Sequence, residues 1–232
     1  MRKYKVGVIR VLTTDDMESM RYHGKLLEQY YPMFQVESRC IPDQREGIHD
    51  EETLQKGIPK VVELAVRMWK DGFEAIIVSC AEDPGVEEAR KKLPIPIIGA
   101  GESTAALALF YGNQPAALGI TASIPKVFER FFGDKLVDSA RGEGVNCTLD
   151  LATDWGYNAT AAAAKKQKAM GADVIALSCT GMSTIGIAPE LERELGIPVL
   201  DPILCAGHMA LFALMRKNEK KVGENHAAEA NS

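Results

Sequence analysis

No two of the five cysteines stand at CxxC spacing; Cys40, Cys80, Cys147, Cys179 and Cys205 are odd in number and irregularly placed. That arrangement suggests neither a disulfide framework nor a zinc site. No apolar run approaches the roughly 18 residues of a membrane span. The first such run, residues 6–12, is interrupted by Arg10 and is too short and too charged for a signal sequence. A soluble, cytoplasmic protein is expected. Nor is there an excess of basic residues: 27 Lys and Arg against 32 Asp and Glu leave a formal net charge of −5. Nucleic acid and anionic membrane are thereby disfavoured as partners, because both require clustered cations to displace counterions. A small-molecule partner is the expectation that remains. The full dinucleotide fingerprint is missing as well, so Gly99-x-Gly101 reads as close strand-to-helix packing rather than a phosphate loop.

What the sequence does contain is a repeat. Residues 71–79 (DGFEAIIVS) run into Cys80, and residues 170–178 (MGADVIALS) run into Cys179. Each copy is a small-residue turn, an apolar run rich in Ile, Val and Ala, then Ser-Cys, then the start of a helical segment. The likeness continues downstream, where residues 93–110 (LPIPIIGAGESTAALALF) echo 195–212 (LGIPVLDPILCAGHMALF) with a short insertion. Two related lobes follow from this, each offering one thiol where a buried strand ends.

Read in order, residues 4–11 form a first buried strand, and Thr13 to Asp16 supply caps for a helix ending at Pro32. A strand over 35–41 precedes a polar loop, 42–50, long enough to cover a cleft. In the charged helix that follows, Val61, Leu64, Ala65, Met68 and Trp69 fall at helical spacing and mark the buried face. The first repeat predicts a strand at 75–79, a helix at 84–92, a short strand at 96–98 and a helix at 103–111. Residues 116–121 open the second lobe, with Thr121 or Ser123 as caps for a helix over 125–132. Residues 134–145 are polar and glycine-containing and are not assigned. Residues 158–170 make an alanine-rich helix by propensity; the second repeat then ends in a closing helix over 205–216. The polar, aperiodic tail, 217–232, is expected to be disordered.

Continuous apolar strands alternating with helices imply parallel sheets covered on both faces. The expected fold is therefore α/β, with two similar lobes, 1–112 and 113–216. Each lobe is a mainly parallel sheet flanked by helices. The lobes are related by a pseudo-twofold, with the site between them, and each lobe's closing helix is able to cross to the other. In such sheets ligands bind beyond the carboxyl ends of the strands, where both cysteines fall.

A thiol at a helix N-terminus meets unpaired amides, which lower its pKa from about 8.5 toward neutrality. Neither Cys80 nor Cys179 has a histidine beside it in sequence, as a cysteine hydrolase would need nearby in space. Two symmetry-related thiols suit a different reaction. One removes a proton from an acidic carbon and the other returns a proton to the opposite face. The amides of Ala81, Glu82, Thr180 and Gly181 would serve the same cleft as anion donors, with the hydroxyls of Thr121, Ser123 and Thr180 beside them. No metal or cofactor is required. Asp83-Pro84 is explained as N-cap and first residue of the helix after Cys80. Cys40, Cys147 and Cys205 are expected to be small buried hydrophobes, and His208 a packed core residue. His23 and His49 have no evident place, and His226 lies in the tail.

Cys80-Ala81-Glu82-Asp83-Pro84-Gly85 and the following Ile97-Ile98-Gly99-Ala100-Gly101-Glu102 resemble the Cys-x-x-Asp-Pro-Gly and Val-Gly-x-Gly-Glu stretches of hydantoin racemases. Ser178-Cys179-Thr180-Gly181-Met182 resembles their second cysteine motif, commonly Gly-Cys-Ala-Gly-Met. The resemblance places the chain, from residue 4 to about 216, with the aspartate/glutamate/hydantoin racemase superfamily. It implies a cofactor-independent, homo-oligomeric racemase or epimerase that uses two cysteines, here Cys80 and Cys179, on a carbon next to a carbonyl. Hydantoin racemases usually carry Asn-Pro-Asn after the first strand, where this chain has Arg10-Val11-Leu12. The substrate thus stays open between a 5-substituted hydantoin and an amino-acid-like compound whose carboxylate would face Arg10. Maleate-type isomerisation and decarboxylation are alternatives within the fold, although decarboxylase relatives keep only one cysteine of the pair. A noncatalytic small-molecule-binding protein is the alternative outside enzymology.

Overall fold

The computed structural model describes the backbone of residues 2–229 and the side chains of residues 2–217. The chain begins β1 (Tyr4–Arg10), α1 (Met17–Tyr30), β2 (Phe34–Cys40), α2 (Glu51–Lys70), β3 (Ala75–Ser79), α3 (Val86–Lys92), β4 (Ile97–Gly99) and α4 (Ala100–Tyr111). Then come β5 (Pro115–Gly119), α5 (Lys126–Phe132), a 3-10 turn (Gly133–Lys135), β6 (Asp138–Arg141), α6 (Thr148–Leu151) and α7 (Asp154–Ala169). The last elements are β7 (Val174–Leu177), α8 (Gly181–Thr184), α9 (Ala188–Leu195), β8 (Val199–Leu200) and α10 (Pro202–Glu229). The strands form two four-stranded sheets in the orders β2-β1-β3-β4 and β6-β5-β7-β8. All pairings are parallel, so the two-lobed α/β expectation holds.

The central strands β3 (AIIVS) and β5 (PAALG) are buried along their whole length. That requires helices on both faces, because a half-solvated strand would alternate polar and apolar residues. Two of those helices come from the opposite lobe. Ile203, Ala206, Ala210 and Leu214 of α10 pack with Val6, Val8, Ala75 and Ile77 of the first sheet. Reciprocally, Ala105 and Ala108 of α4 pack with Ala117, Val174 and Ala176 of the second sheet and with Phe128 of α5. Each lobe's closing helix therefore covers its neighbour's sheet. The exchange holds the two sheets against each other by burying apolar area on both sides of the boundary.

Local signals explain most of the boundaries. The Asp16 carboxylate accepts from the Glu18 and Ser19 amides and starts α1, while Asp50 and Thr53 close a capping box at α2. The polar loop before α2 is pinned to the β1–α1 loop, with the Gln44 amide donating to the Thr13 hydroxyl at 2.8 Å.

Several local expectations are corrected. Val61, Leu64, Ala65 and Met68 are buried, but Trp69 lies at the edge of that stripe and is exposed. The N-cap of α5 is Pro125, with no side-chain cap; the Thr121 hydroxyl instead donates to the Ser123 carbonyl at 2.7 Å. The unassigned stretch 134–145 contains β6, an edge strand whose residues alternate between half-buried and exposed, too short and polar to announce itself. His208 is exposed rather than packed, and of the three cysteines set aside only Cys205 is buried, Cys40 being half-buried and Cys147 exposed. The backbone of α10 continues past Arg216 to Glu229. The expectation of a disordered tail thus meets helix up to that point, while the side chains of 218–232 and the backbone of 230–232 lie outside the described residues. No helix among the described residues is long and apolar enough to cross a membrane.

Candidate active site

Strand order determines where a ligand can enter. In each sheet the chain leaves one central strand toward one edge and the next toward the other edge, so the connections diverge and open a crevice at the carboxyl ends. In the first sheet this point lies between β1 and β3, where Arg10 pairs in register with Ser79 and Cys80 follows directly. In the second it lies between β5 and β7, and Ser178 and Cys179 follow β7. Both cysteines are buried. The two strand ends meet: the Thr180 hydroxyl, next to Cys179, donates to the carbonyl of Ser79, next to Cys80, at 3.4 Å.

Backbone amides turn toward each sulfur, that of Glu82 toward Cys80 and those of Gly181 and Met182 toward Cys179. Expected thiolates are nevertheless not what results. Burial pushes the Cys179 pKa up to about 11 against the pull of its two amides. It pushes Cys80 further, and the Glu82 and Asp83 carboxylates and Cys179 itself act in the same direction. The reason is local geometry. Helix α3 begins only at Val86 and α8 has four residues, so neither thiol faces the end of a long helix, and one or two amides do not offset desolvation. At neutral pH both groups are held as thiols, and ionisation of one raises the pKa of the other.

The Cys80 loop is fixed from behind by Asp83. This residue adopts a left-handed backbone, φ 51°. Its carboxylate accepts from the amides of Gly101 at 2.8 Å and Glu102 at 2.6 Å. It therefore caps α4, not the helix that follows it, and links the first cysteine loop to the helix that crosses to the second lobe. Gly101 permits this contact, since a Cβ there would collide with the Ala81 carbonyl. Asp83→Ala removes both hydrogen bonds and leaves a residue poorly suited to positive φ, so a loss of about 1 to 2 kcal/mol is expected. Urea unfolding of the variant measures it; an unchanged midpoint would show the cap to be dispensable.

Gly181 has a similar role at the other thiol. A Cβ there would lie 3.3 Å from the Cys179 sulfur and collide with the Thr148 methyl, so only glycine lets this amide approach the sulfur. Of the other residues singled out in the sequence, Thr180 and Glu82 flank the thiols and are half-buried. The Ala81 side chain is buried beside α4 and α5. Thr121 is half-buried and Ser123 exposed in the loop after β5. Arg10 is directed toward α1, where Nη1 donates to the Ser19 carbonyl at 2.8 Å and more weakly to that of Met20 at 3.5 Å. Burial lowers its pKa, and no carboxylate among the described residues forms an ion pair with it. Among these residues no group of three or more His, Cys, Asp or Glu side chains is placed to hold a metal ion.

Sequence reasoning missed His23. Its ring is wholly buried, with Nδ1 2.8 Å from the Ser79 hydroxyl and Nε2 3.0 Å from that of Thr184. Burial and the neighbouring Arg10 charge hold its pKa well below the ordinary histidine value, with the Thr180 carbonyl pulling the other way. The available signal was its position four residues before Leu27, on the buried face of α1.

Comparison with known proteins gives this architecture its class. The family model described as Asp/Glu/Hydantoin racemase matches residues 6–210. The chain belongs to the Asp/Glu/hydantoin racemase family and is a racemase, hence an isomerase. It is 28% identical over 180 residues to a hydantoin racemase of Pseudomonas sp. (strain NS671), a match spanning 73% of this chain and 68% of that one. It is also 28% identical over 177 residues to a hydantoin racemase of Paenarthrobacter aurescens, covering 71% of each. Its fold is similar to that of an allantoin racemase from Klebsiella pneumoniae, with TM-score 0.81, 19% identity and coverage of 93% of this chain and 89% of that one.

Proposed function

We propose that the protein inverts an acidic carbon next to a carbonyl by a two-thiol, cofactor-independent mechanism, with Cys80 and Cys179 as the acid–base pair. The observation that carries this reading is the placement of one buried cysteine after a central strand of each sheet, at strand ends that touch. In each turnover one sulfur, as thiolate, takes the proton from the carbon and becomes a thiol. The electron pair left behind delocalises into the carbonyl, making the carbon planar. The other thiol donates its proton to the opposite face and becomes the thiolate, so the two sulfurs exchange roles for the reverse direction. Of the donors named from the sequence, the amides of Ala81 and Thr180 and the Ser123 hydroxyl are assigned to the developing negative charge on the substrate oxygen. The Glu82 and Gly181 amides serve the sulfurs, and the Thr121 and Thr180 hydroxyls, which donate to the Ser123 and Ser79 carbonyls, would join only by turning to the substrate.

The substrate class favoured by the relatives is a 5-substituted hydantoin or the similar allantoin ring. A second reading, an amino-acid-like substrate, is favoured by one observation: Arg10 is a half-buried cation at the switch point, partly desolvated and with no carboxylate partner among the described residues. Burying an unpaired charge is costly, and a substrate carboxylate would offset that cost.

Deuterium incorporation followed by proton NMR, with optical rotation in parallel, tests both readings across hydantoins, allantoin, aspartate and glutamate. Exchange coupled to loss of optical activity identifies the substrate class. If a carboxylate substrate is turned over, Arg10→Met is expected to raise its KM about 100-fold and to leave any neutral-ring activity within about threefold. Equal losses on both kinds of compound would refute the carboxylate role. Covalent or decarboxylating turnover without exchange would refute the racemase mechanism itself.

A further inference from the structure

Among the described residues, His23 is a wholly buried titratable side chain that contacts the segments carrying both cysteines and that the proposed mechanism does not use. It lies on α1 in the first lobe. One ring nitrogen contacts Ser79, immediately before Cys80; the other contacts Thr184, in the short helix that follows Cys179. With both nitrogens engaged by hydroxyls, the ring is not available as the base partner of either thiol. A neutral imidazole has one donor and one acceptor, and a hydroxyl can take either role, so both hydroxyl contacts are satisfied whichever nitrogen carries the proton, while the Thr180 carbonyl, which only accepts, favours a proton on the nitrogen facing it. The ring is flat and rigid, so it fixes the separation of the two hydroxyls it joins.

We infer that His23 is a positioning residue: a strut across the lobe boundary that ties the Cys80 strand end to the Cys179 helix and sets the distance between the two sulfurs. This rests on the two-thiol reading above. The contact between the Thr180 hydroxyl and the Ser79 carbonyl is a second, weaker tie between the same loops. Elsewhere the lobes are joined by the exchanged helices α4 and α10 and by surface ion pairs such as Lys126–Glu51 and Arg130–Glu87. Inversion is unusually sensitive to this distance. Proton removal needs only one sulfur near one face, whereas inversion needs the second sulfur in reach of the opposite face before the first returns a proton. A displacement of about 1 Å can cost about 100-fold in such a step.

The expected signature is therefore not a general loss of activity but a split between two partial reactions. In deuterated solvent, wild type should give exchange and inversion at similar rates. His23→Ala should lower the inversion kcat by about 10- to 100-fold with KM within about threefold. It should also raise the ratio of exchange-with-retention to inversion several-fold. Because replacing a buried histidine by alanine also costs folding stability, Thr184→Val supplies an independent arm. Thr184 is exposed, and this variant removes only the hydroxyl that Nε2 contacts, so the same shift in ratio is expected with an unchanged unfolding midpoint. His23→Asn and His23→Gln, whose amides reach about as far as Nδ1 and Nε2 respectively, should each retain one contact and fall between wild type and alanine.

Folded variants that keep the wild-type ratio, or lose exchange and inversion in equal proportion, would overturn the strut and leave the two-thiol mechanism standing. A wild-type enzyme that neither exchanges nor inverts any compound on the panel would remove the mechanism, and the strut with it.

Discussion

Cys80→Ala and Cys179→Ala are each expected to lower the rate of inversion by about a thousandfold or more, and to do so in a stereochemically opposite manner. Positioned acid–base groups contribute about 10²- to 10⁴-fold each, and a two-sided reaction cannot proceed with one side missing. The remaining thiol still faces one side of the carbon. Each variant should therefore exchange the proton of one enantiomer with solvent and leave the other untouched, and the preferred enantiomer should differ between the two. Deuterium exchange on the separate enantiomers measures this. If both variants exchange the same enantiomer, the sulfurs do not face opposite sides, and the mechanism fails even though activity is lost. Far-ultraviolet circular dichroism distinguishes these outcomes from unfolding; the cavity left by removing one sulfur is small.

The second large effect is a pH dependence with a definite sign. The reactive form has one thiolate and one thiol. Burial raises both thiols, Cys179 to about 11 and Cys80 further, so between pH 6 and 9 almost all the enzyme carries two thiols. The reactive fraction then grows tenfold for each pH unit. The value of kcat/KM is expected to rise with that slope through the whole window, and to turn over only above the first ionisation. The steepness separates two pictures of the site. A plateau at neutral pH would mean that the amides of Glu82, Gly181 and Met182 outweigh desolvation, as a thiol at a long helix N-terminus would predict. A unit slope would mean that desolvation dominates and that Cys179, the less raised of the two, ionises first.

These predictions depend on features of unequal visibility in the sequence. The apolar runs at 75–79 and 174–177 were legible because a strand buried on both faces has no alternation to disguise it. The cysteines were legible because the repeat placed each at the same point relative to its strand. Trp69 was misassigned because helical spacing specifies a direction around the axis but not how far the neighbouring layer extends. Residues 138–141 stayed hidden because an edge strand of four residues needs only one partner and carries little apolar content. Asp83 was recognised as a cap but given to the wrong helix, since its actual partners, the amides of Gly101 and Glu102, are distant in sequence. The thiol pKa shifts were misjudged for a related reason: the number of amides reaching a sulfur is readable from local sequence, but the depth of its burial is not.

The sequence by itself determined the class of this protein: two α/β lobes, a thiol at one strand end of each, and the motifs of a racemase family. It could do so because strand burial, helix periodicity and the repeat are properties of contiguous residues. Only the tertiary structure decided that α4 and α10 cover each other's sheets, that Arg10 is a half-buried cation held by helix carbonyls, and that His23 joins Ser79 to Thr184. Each of these depends on which surfaces meet when the lobes close, and that is set by packing between segments far apart in the chain.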